Sequence, residues 1–177
     1  MKTAETAFIA LGSNVGDRVG HLQRAVEKIV ELPGVRLTGL SHLYETSPVD
    51  VGGGPFVNAV ARIKTTLDPW QLMEGLHDIE SRMGRPRARK GPEPRTMDID
   101  LLLYGGRVLD GERLQLPHPR MLSRRFVLEP LADLEPDMSI PGQGMSVRQA
   151  ALILRAEHPE QKVARMAEGL RTSIQGV

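Results

Sequence analysis

Apolar residues recur along the first part of the chain with two different periods, which predict strands and helices in alternation. Strand-like runs are expected at Thr6–Leu11, Val35–Leu43 and Phe56–Thr65. A fourth run, Thr96–Tyr104, is apolar enough to be a buried strand although it contains two aspartates. The turn-forming residues of Tyr44–Pro55 predict a loop between the second and third strands.

Two segments between these strands have the spacing of amphipathic helices. Asp17 is typical of an N-cap, and the apolar residues after it fall on one helical face: Leu22, Val26, Ile29 and Val30. Pro33-Gly34 predicts the end of this helix. Asp68-Pro69 is a suitable start for a second helix, whose apolar residues are Leu72, Met73, Leu76, Ile79 and Met83.

The resulting order, β-α-β-β-α-β, is the ferredoxin-like pattern, so we expect an α+β fold with helices flanking a sheet. A short hairpin is predicted around Asp110-Gly111, and one or two helices follow the proline-bounded segment that begins at Leu116. Extra C-terminal helices are expected from Ser146 and over Pro159–Gly169. No internal repeat, low-complexity segment or linker divides the chain.

The composition is that of an ordinary globular protein and narrows the choice of function. With 177 residues, 40% apolar and 25% charged, the chain fits one domain with a sizeable core. A net charge of +1 provides no overall field that attracts nucleic acid or a membrane. The absence of cysteine excludes disulfides, zinc–thiolate sites and cysteine nucleophiles. Because no run suits a secretory signal or a membrane span, the cytoplasm is the default location.

The segment Arg82–Tyr104 combines two features that point to chemistry. Its first half is rich in cations, has Glu93 as its only acid and is broken by glycine and proline, so it is not a continuous helix. In the second half, Asp98 and Asp100 lie two apart on a strand and therefore point to the same side of the sheet. A cationic loop that leads into two carboxylates suits a polyphosphate bound with magnesium.

Each half also has an ordinary structural explanation. A charge run is commonly a solvated face, and two acids on a strand are commonly exposed. The apolar neighbours Ile99 and Leu101–Leu103 argue against exposure, because carboxylates on a buried strand need partners. The absence of a G-x-x-x-x-G-K-[ST] stretch excludes a P-loop, and the absence of a strand-linked G-x-G-x-x-G argues against a Rossmann dinucleotide site.

Other residues could contribute to a polyphosphate site. His118 lies between two prolines that stiffen its backbone, and it could donate to phosphate or be a structural histidine. The turn Gly12–Asn14 could bind an anion through its backbone or be a plain tight turn. Phe56 and Phe126 could hold a flat heterocycle together with Asn58, or could simply belong to the core.

Several sequence blocks, in their order and spacing, resemble the 6-hydroxymethyl-7,8-dihydropterin pyrophosphokinases. The blocks are FIALGSNVGDR, SHLYETSPV, FVNAV, LHDIESRMGR, GPEPRTMDIDLLLYG and LPHPRMLSRRFVLEPL. The resemblance runs from about Phe8 to Pro136, weakens to about Ala156 and is absent from the tail. It therefore implies a pyrophosphokinase domain over residues 1–156, followed by a helical tail over 157–177 that we expect to be partly disordered.

Enzymes of this family move pyrophosphate from ATP to a pterin alcohol in folate biosynthesis, and the resemblance implies the same diphosphokinase activity here. By matching position, Asp98 and Asp100 would ligate two Mg²⁺ ions and act in catalysis together with Arg85 and Arg95. The residues implied to bind the nucleotide are His77, Glu80, Arg87, Leu101, His118 and Arg124. Those implied to bind the pterin are Thr46, Ser47, Val49, Phe56, Asn58 and Phe126, with the two phenylalanines sandwiching the ring.

The sequence departs from the family pattern mainly in the basic loop. Over Ala88–Pro94 the usual Arg-Trp pair is missing, and either Arg89 or Lys90 would supply the corresponding cation. His77 stands where glutamine is frequent, and Pro119 stands where an aromatic residue is frequent.

The implied mechanism is an in-line attack of the pterin hydroxymethyl oxygen on the β-phosphorus of ATP, with AMP leaving. The implied partners are ATP and a pterin alcohol, without nucleic acid or membrane, and we expect a monomer. An RNA-binding ferredoxin-like module is a rival function, although the first and third strands offer only Phe8 and Phe56 for stacking. A metal-dependent phosphohydrolase is another, and it would release phosphate without needing an acceptor alcohol.

Overall fold

Helices alternate with strands in the order that the sequence periodicity predicts. The structure is a computed structural model and describes residues 2–47, 54–84 and 96–172. The elements are β1 (Glu5–Ser13), α1 (Arg18–Val30), β2 (Val35–Leu40), β3 (Tyr44–Thr46), β4 (Phe56–Thr65), α2 (Pro69–Arg82), β5 (Asp98–Tyr104), β6 (Leu109–Asp110), β7 (Gln115–Leu116), α3 (Arg125–Leu134), α4 (Val147–Glu157) and β8 (Val163–Arg165).

The main sheet is antiparallel and has the strand order β5-β1-β4-β3-β8, with β2 also paired to β4. The strands β2 and β3 follow one another along the same edge of β4, where Leu40 is opposite Ala61 and Tyr44 is opposite Asn58. The first and third strands of the predicted pattern are thus central, and the second and fourth flank them. The α+β, ferredoxin-like expectation is confirmed.

Each face of the sheet is covered by its own pair of helices. Alternate residues of β1, such as Ile9 and Leu11, are buried in a core shared with α1 and α2. Phe8, on the opposite face of β1, packs in a second core with Val60 and residues of α3 and α4. The face beneath α3 and α4 is the one that carries the residues of chemical interest.

The second strand does not run without a break from Val35 to Leu43, as the alternation predicted. Ser41 interrupts it: its hydroxyl accepts a hydrogen bond from the Val60 N–H at 2.8 Å, in place of a regular ladder contact. The chain then resumes pairing with β4 as β3, so the predicted loop over Tyr44–Pro55 begins with a strand instead.

The interpretation of the tail as helical is wrong within the described residues. The helix α4 ends at Glu157, Pro159 follows, and Val163–Arg165 forms β8 against β3. The open edge of β3 offers backbone groups that a strand satisfies and a helix does not. The boundary at residue 156 stays a prediction, and the end of the tail, 173–177, lies outside the described residues.

The described helices include none with the combined length and apolarity that crossing a bilayer requires.

The start of α2 generates a stability prediction, because Asp68 and Gln71 form a reciprocal capping box there. We expect Asp68→Ala to lower the free energy of unfolding by about 1 kcal/mol, since it removes the acceptor for the Gln71 N–H. Urea denaturation measures the change. Asp68→Asn is the matched control, because asparagine caps equally well, and an equal loss in both variants would contradict the capping explanation.

Candidate active site

One row of residues crosses three strands on the face beneath α3 and α4. Asp98 of β5 is opposite Gly12 of β1, and Gly12 is in turn opposite Asn58 of β4. Residues that are paired in an antiparallel ladder share a face, so the carboxylate and the amide lie on either side of a glycine. Asp100, two residues after Asp98, points to this face as well, as predicted from the period of the strand.

Two cationic or hydrogen-bonding groups approach Asp100 from the segment after β7. The His118 Nε2 lies 4.0 Å from one carboxylate oxygen, and an Arg124 guanidinium nitrogen lies 3.9 Å from the other. All three side chains are partly buried, and Asp100 is the most open of them at 39% exposure. The structure therefore brings together Asp100, His118 and Arg124, and Asp98 lies on the same face of β5.

The protonation of His118 follows from its surroundings. Burial lowers the pKa of its imidazole, the Asp100 carboxylate opposes that shift, and the nearby Arg124 and Arg120 guanidinium groups reinforce it. The backbone N–H of Arg120 donates to Nδ1 at 3.2 Å, so a neutral ring carries its proton on Nε2. His118 thus presents an N–H donor on the side of the ring that faces Asp100.

Burial also lowers the pKa of Arg124, with Asp100 opposing the shift. Its guanidinium carbon lies 5.5 Å from the centre of the Phe126 ring, within the range of a cation–π contact. Arg124 therefore joins the acidic group on β5 to an aromatic face on α3.

The edge strand β5 is also held from its outer side. Glu80 of α2 accepts a hydrogen bond from the Ile99 N–H at 2.9 Å, midway between the two aspartates. This contact occupies a donor on the exposed edge of the sheet and fixes the segment that carries Asp98 and Asp100. The structure thus shows Glu80 in contact with the backbone of β5, and its role towards the nucleotide stays a prediction.

A second group of predicted residues surrounds Asn58. Its side-chain Nδ2 donates to the Thr46 hydroxyl at 2.8 Å, and both residues are about 5% exposed or less. Its Oδ1 lies over Gly12, so a Cβ atom added to that glycine would lie only 2.8 Å from the oxygen. Phe56 is opposite Thr46 in the ladder, and its ring also lies near Gly12. Phe56 and Phe126 are both partly exposed, whereas Phe8 is buried as predicted.

A cleft of about 300 Å³ lies beside β5, between α2 and the hairpin formed by β6 and β7. The predicted nucleotide residues that line it are His77, Leu101 and His118, together with Asp100. Its apolar floor and polar rim suit a flat heterocycle with attached polar groups.

The cleft includes hairpin residues that the sequence did not single out. Glu112, Arg113 and Gln115 line it, and Arg113 also lies 3.6 Å from Glu74 of α2. The available signal was alternation: Arg113 and Gln115 interleave with the buried Leu114 and Leu116, which places the polar pair on one side of the hairpin.

Some predicted residues fall outside the part of the chain that the structure describes. These are Val49, Arg85, Arg87 and Arg95, together with the alternatives Arg89 and Lys90. Ser47 is described and exposed, and it directly precedes the undescribed residues 48–53.

The sequence matches a known family model over residues 8–136, described as 7,8-dihydro-6-hydroxymethylpterin-pyrophosphokinase. Over 139 residues it is 43% identical to a 2-amino-4-hydroxy-6-hydroxymethyldihydropteridine pyrophosphokinase of Pseudomonas aeruginosa, which covers 77% of this chain and 85% of the relative. It is 45% identical over 130 residues to the protein of that name from Bacillus subtilis, and the alignment covers 72% of this chain and 77% of that protein.

Similar sequences and folds also occur as parts of longer proteins. The sequence is 40% identical over 145 residues to the folic acid synthesis protein fol1 of Pneumocystis carinii, covering 81% of this chain but 19% of that protein. A Plasmodium falciparum HPPK-DHPS crystal structure superposes with a TM-score of 0.72 at 14% identity, covering 90% of this chain and 47% of that one. This likeness supports the fold, and the chain spans about half the length of that protein.

The close approach at Gly12 generates a prediction that needs no ligand. We expect Gly12→Ala to lower the melting temperature and to shift the side-chain amide NMR signals of Asn58, because the new Cβ would lie 2.8 Å from Oδ1. Gly106→Ala is the control, since a Cβ there meets no atom within 4 Å. Unchanged Asn58 signals in Gly12→Ala would show that the amide does not lie where described.

Proposed function

Since the chain belongs to the 7,8-dihydro-6-hydroxymethylpterin-pyrophosphokinase family, we propose that it transfers pyrophosphate from ATP to 6-hydroxymethyl-7,8-dihydropterin in folate biosynthesis. The products are AMP and the pterin diphosphate. The observation that supports the proposal is the row Asp98–Gly12–Asn58, in which a carboxylate and an amide lie on one face of the sheet on either side of a glycine. We propose that the carboxylate side serves the phosphates and the amide side serves the pterin.

Two magnesium ions form part of the proposal, held by Asp98 and Asp100. The donor set fits, because magnesium takes one or two carboxylates and completes its shell with water and substrate phosphate oxygens. Bound there, the ions would neutralise charge on the phosphate chain and polarise it towards attack. Water and the substrate phosphates are proposed to supply the remaining oxygens.

The protein's own groups account for phosphate binding around this pair. The Nε2–H of His118 and the guanidinium of Arg124 are proposed to contact the triphosphate, where they offset its charge as the bond to the leaving AMP breaks. Arg85, Arg87 and Arg95, which lie outside the described residues, are proposed to add contacts from the basic loop, with Arg85 and Arg95 acting on the transferred group.

The reaction needs no covalent enzyme intermediate. The hydroxymethyl oxygen forms a bond to the β-phosphorus, the bridge from the β-phosphorus to the α-phosphate oxygen breaks, and the hydroxyl proton is released. Holding the two substrates in line is the main contribution of the protein, and proposed phosphate and pterin sites on one face of the sheet suit that alignment.

The pterin is proposed to bind between Phe56 and Phe126, with Asn58 and Thr46 reading its polar edge. Partly exposed rings supply stacking area, and the Asn58 amide offers an acceptor whose position is set by its bond to Thr46. Ser47 and the undescribed Val49 complete this proposed set. The adenine is proposed to occupy the cleft beside β5, against Leu101 and His77. Glu80, which accepts from the Ile99 N–H of the same strand, is proposed to contact the nucleotide as well.

The remaining parts of the proposal concern the setting of the reaction. A monomer suffices, because the proposed residues of both sites come from one chain. The need for ATP as co-substrate supports the cytoplasm as the location. We propose no role for nucleic acid or membrane, since the site binds two small molecules and the net charge of +1 provides no general attraction for polyanions.

The reaction products test the proposal directly. Incubation with ATP, Mg²⁺ and the pterin alcohol should yield AMP in an amount equal to the pterin diphosphate, measured by ion-exchange chromatography. Release of inorganic phosphate without the alcohol would favour the phosphohydrolase. Salt-sensitive retention of single-stranded RNA on a filter, with no AMP formed, would favour the RNA-binding module.

Asp100→Asn tests the proposed metal role while keeping the size of the side chain. We expect a loss in kcat on the order of 100-fold or more and a higher Mg²⁺ concentration for half-maximal rate, because a charged ligand becomes a neutral amide. Asp137→Asn is the matched control, since Asp137 is 83% exposed in the connection between α3 and α4. A normal Mg²⁺ dependence in Asp100→Asn would contradict the assignment.

A further inference from the structure

The tail residue Gln161 reaches the segment that carries Arg124 and Phe126. We propose that Gln161 is a positioning residue for the active site, which holds the backbone of Ser123–Arg125 and thereby orients Arg124 and Phe126. It lies in a part of the chain beyond residues 8–136, where the family model ends. The inference rests on the proposed roles of Arg124 and Phe126.

Both the oxygen and the nitrogen of the Gln161 side-chain amide make a hydrogen bond to the backbone of Ser123–Arg125. Its Oε1 accepts from the Arg125 N–H at 3.0 Å, and its Nε2 donates to the Ser123 carbonyl at 3.1 Å. The opposite orientation of the amide would set donor against donor and acceptor against acceptor, so the assignment is the one the backbone requires. The two bonds bracket Arg124, the residue whose guanidinium lies 3.9 Å from Asp100.

The start of α3 explains why an outside residue is needed here. The N-cap position is occupied by Arg124, which makes no side-chain capping bond. A serine or aspartate at this position would cap the helix but would offer no cation to the site. Gln161 accepts from the first N–H of the helix instead, so the N-cap residue is free to serve as a phosphate ligand.

Gln161 is itself fixed by Arg125. One guanidinium nitrogen of Arg125 donates to the Gln161 carbonyl at 2.6 Å, and another donates to Glu129 of α3 at 3.2 Å. The Arg125 and Glu129 side chains are only 12% and 13% exposed, so this ion pair is held firmly in place and fixes the Gln161 backbone. The Gln161 amide is therefore held against the helix start from both its backbone and its side chain.

The next tail residues contact the other wall of the proposed pterin site. The Lys162 carbonyl accepts from the Ser47 N–H at 3.3 Å, and Val163 pairs with Thr46 in the ladder of β8 and β3. One short stretch of the tail thus touches the backbone next to Phe126 and the backbone that carries Thr46. The spacing between the two walls depends on this stretch.

Gln161→Ala is the principal test, with Gln23→Ala as the matched control. Gln23 also binds the tail through two hydrogen bonds of its side-chain amide, to the Arg171 carbonyl at 3.0 Å and from the Arg171 N–H at 2.8 Å, but it lies on α1. We expect Gln161→Ala to lower kcat/KM for the pterin roughly tenfold and Gln23→Ala to leave it unchanged. Equal kcat/KM values in the wild type and Gln161→Ala would overturn the proposal.

Two further variants separate the effect of side-chain length from the effect of the hydrogen-bonding groups. Gln161→Asn keeps the amide but is one methylene shorter, so it should behave like Gln161→Ala. Gln161→Glu keeps the length and the acceptor for the Arg125 N–H but loses the donor to Ser123, so it should recover part of the activity. Full activity in Gln161→Asn would contradict a contact at the described distance.

Amide hydrogen exchange gives a readout that does not depend on the reaction. Exchange at the Arg125 amide should rise roughly tenfold in Gln161→Ala and stay unchanged in Gln23→Ala; unchanged exchange in Gln161→Ala would overturn the proposal by itself. Phe126→Ala tests the premise: normal kcat/KM for the pterin in that variant would contradict the proposed pterin site. A loss in Phe126→Ala without a loss in Gln161→Ala would contradict the positioning role alone.

Discussion

The pairing register of β5, β1 and β4 is the constraint on which the site depends. Gly12 is opposite both Asp98 and Asn58, so the acid of one proposed subsite and the amide of the other are separated by a single strand. A slip of one residue in either ladder would turn Asp98 or Asn58 towards the core under α1 and α2. The buried side chains of Ile9 and Leu11 hold the register, because a slip would bring them to the opposite face.

Charge at the site is arranged around partial burial. Asp100 is open enough to remain hydrated, while His118 and Arg124 are more buried and face it at about 4 Å. At this separation the Asp100 carboxylate offsets part of the cost of burying a charge on Arg124 or His118 without closing into a tight ion pair, and each group keeps hydrogen-bonding capacity for a ligand. Glu80 secures β5 from the other side through the Ile99 N–H, so the acids stay in place as partners approach them.

The apolar pattern of the sequence predicted an element correctly where that element buries one face along its whole length, as β1, β4, α1 and α2 do. Prediction from the pattern failed where a contact with a distant part of the chain decides the local structure. The break at Ser41 depends on the Val60 N–H, and β8 has too few residues to show a period, so its pairing with β3 is visible only in three dimensions. In the site, the resemblance supplied the roles of Phe56 and Phe126, which spacing alone left open. Gln161 was missed because its role is set by the backbone of another segment.

The position of β8 has a consequence for how the chain matures. Every described strand of the proposed site precedes β8 in the chain, so a nascent chain that extends only as far as α4 lacks the strand that pairs with the edge of β3. An open edge of this kind is a template for pairing with other chains, and it lies beside the proposed pterin site. When residues 161–166 arrive, they cover that edge and cap α3 together. The pairing of an aggregation-prone edge and the capping of the helix that carries Phe126 thus both wait for the same six residues, which are synthesised late.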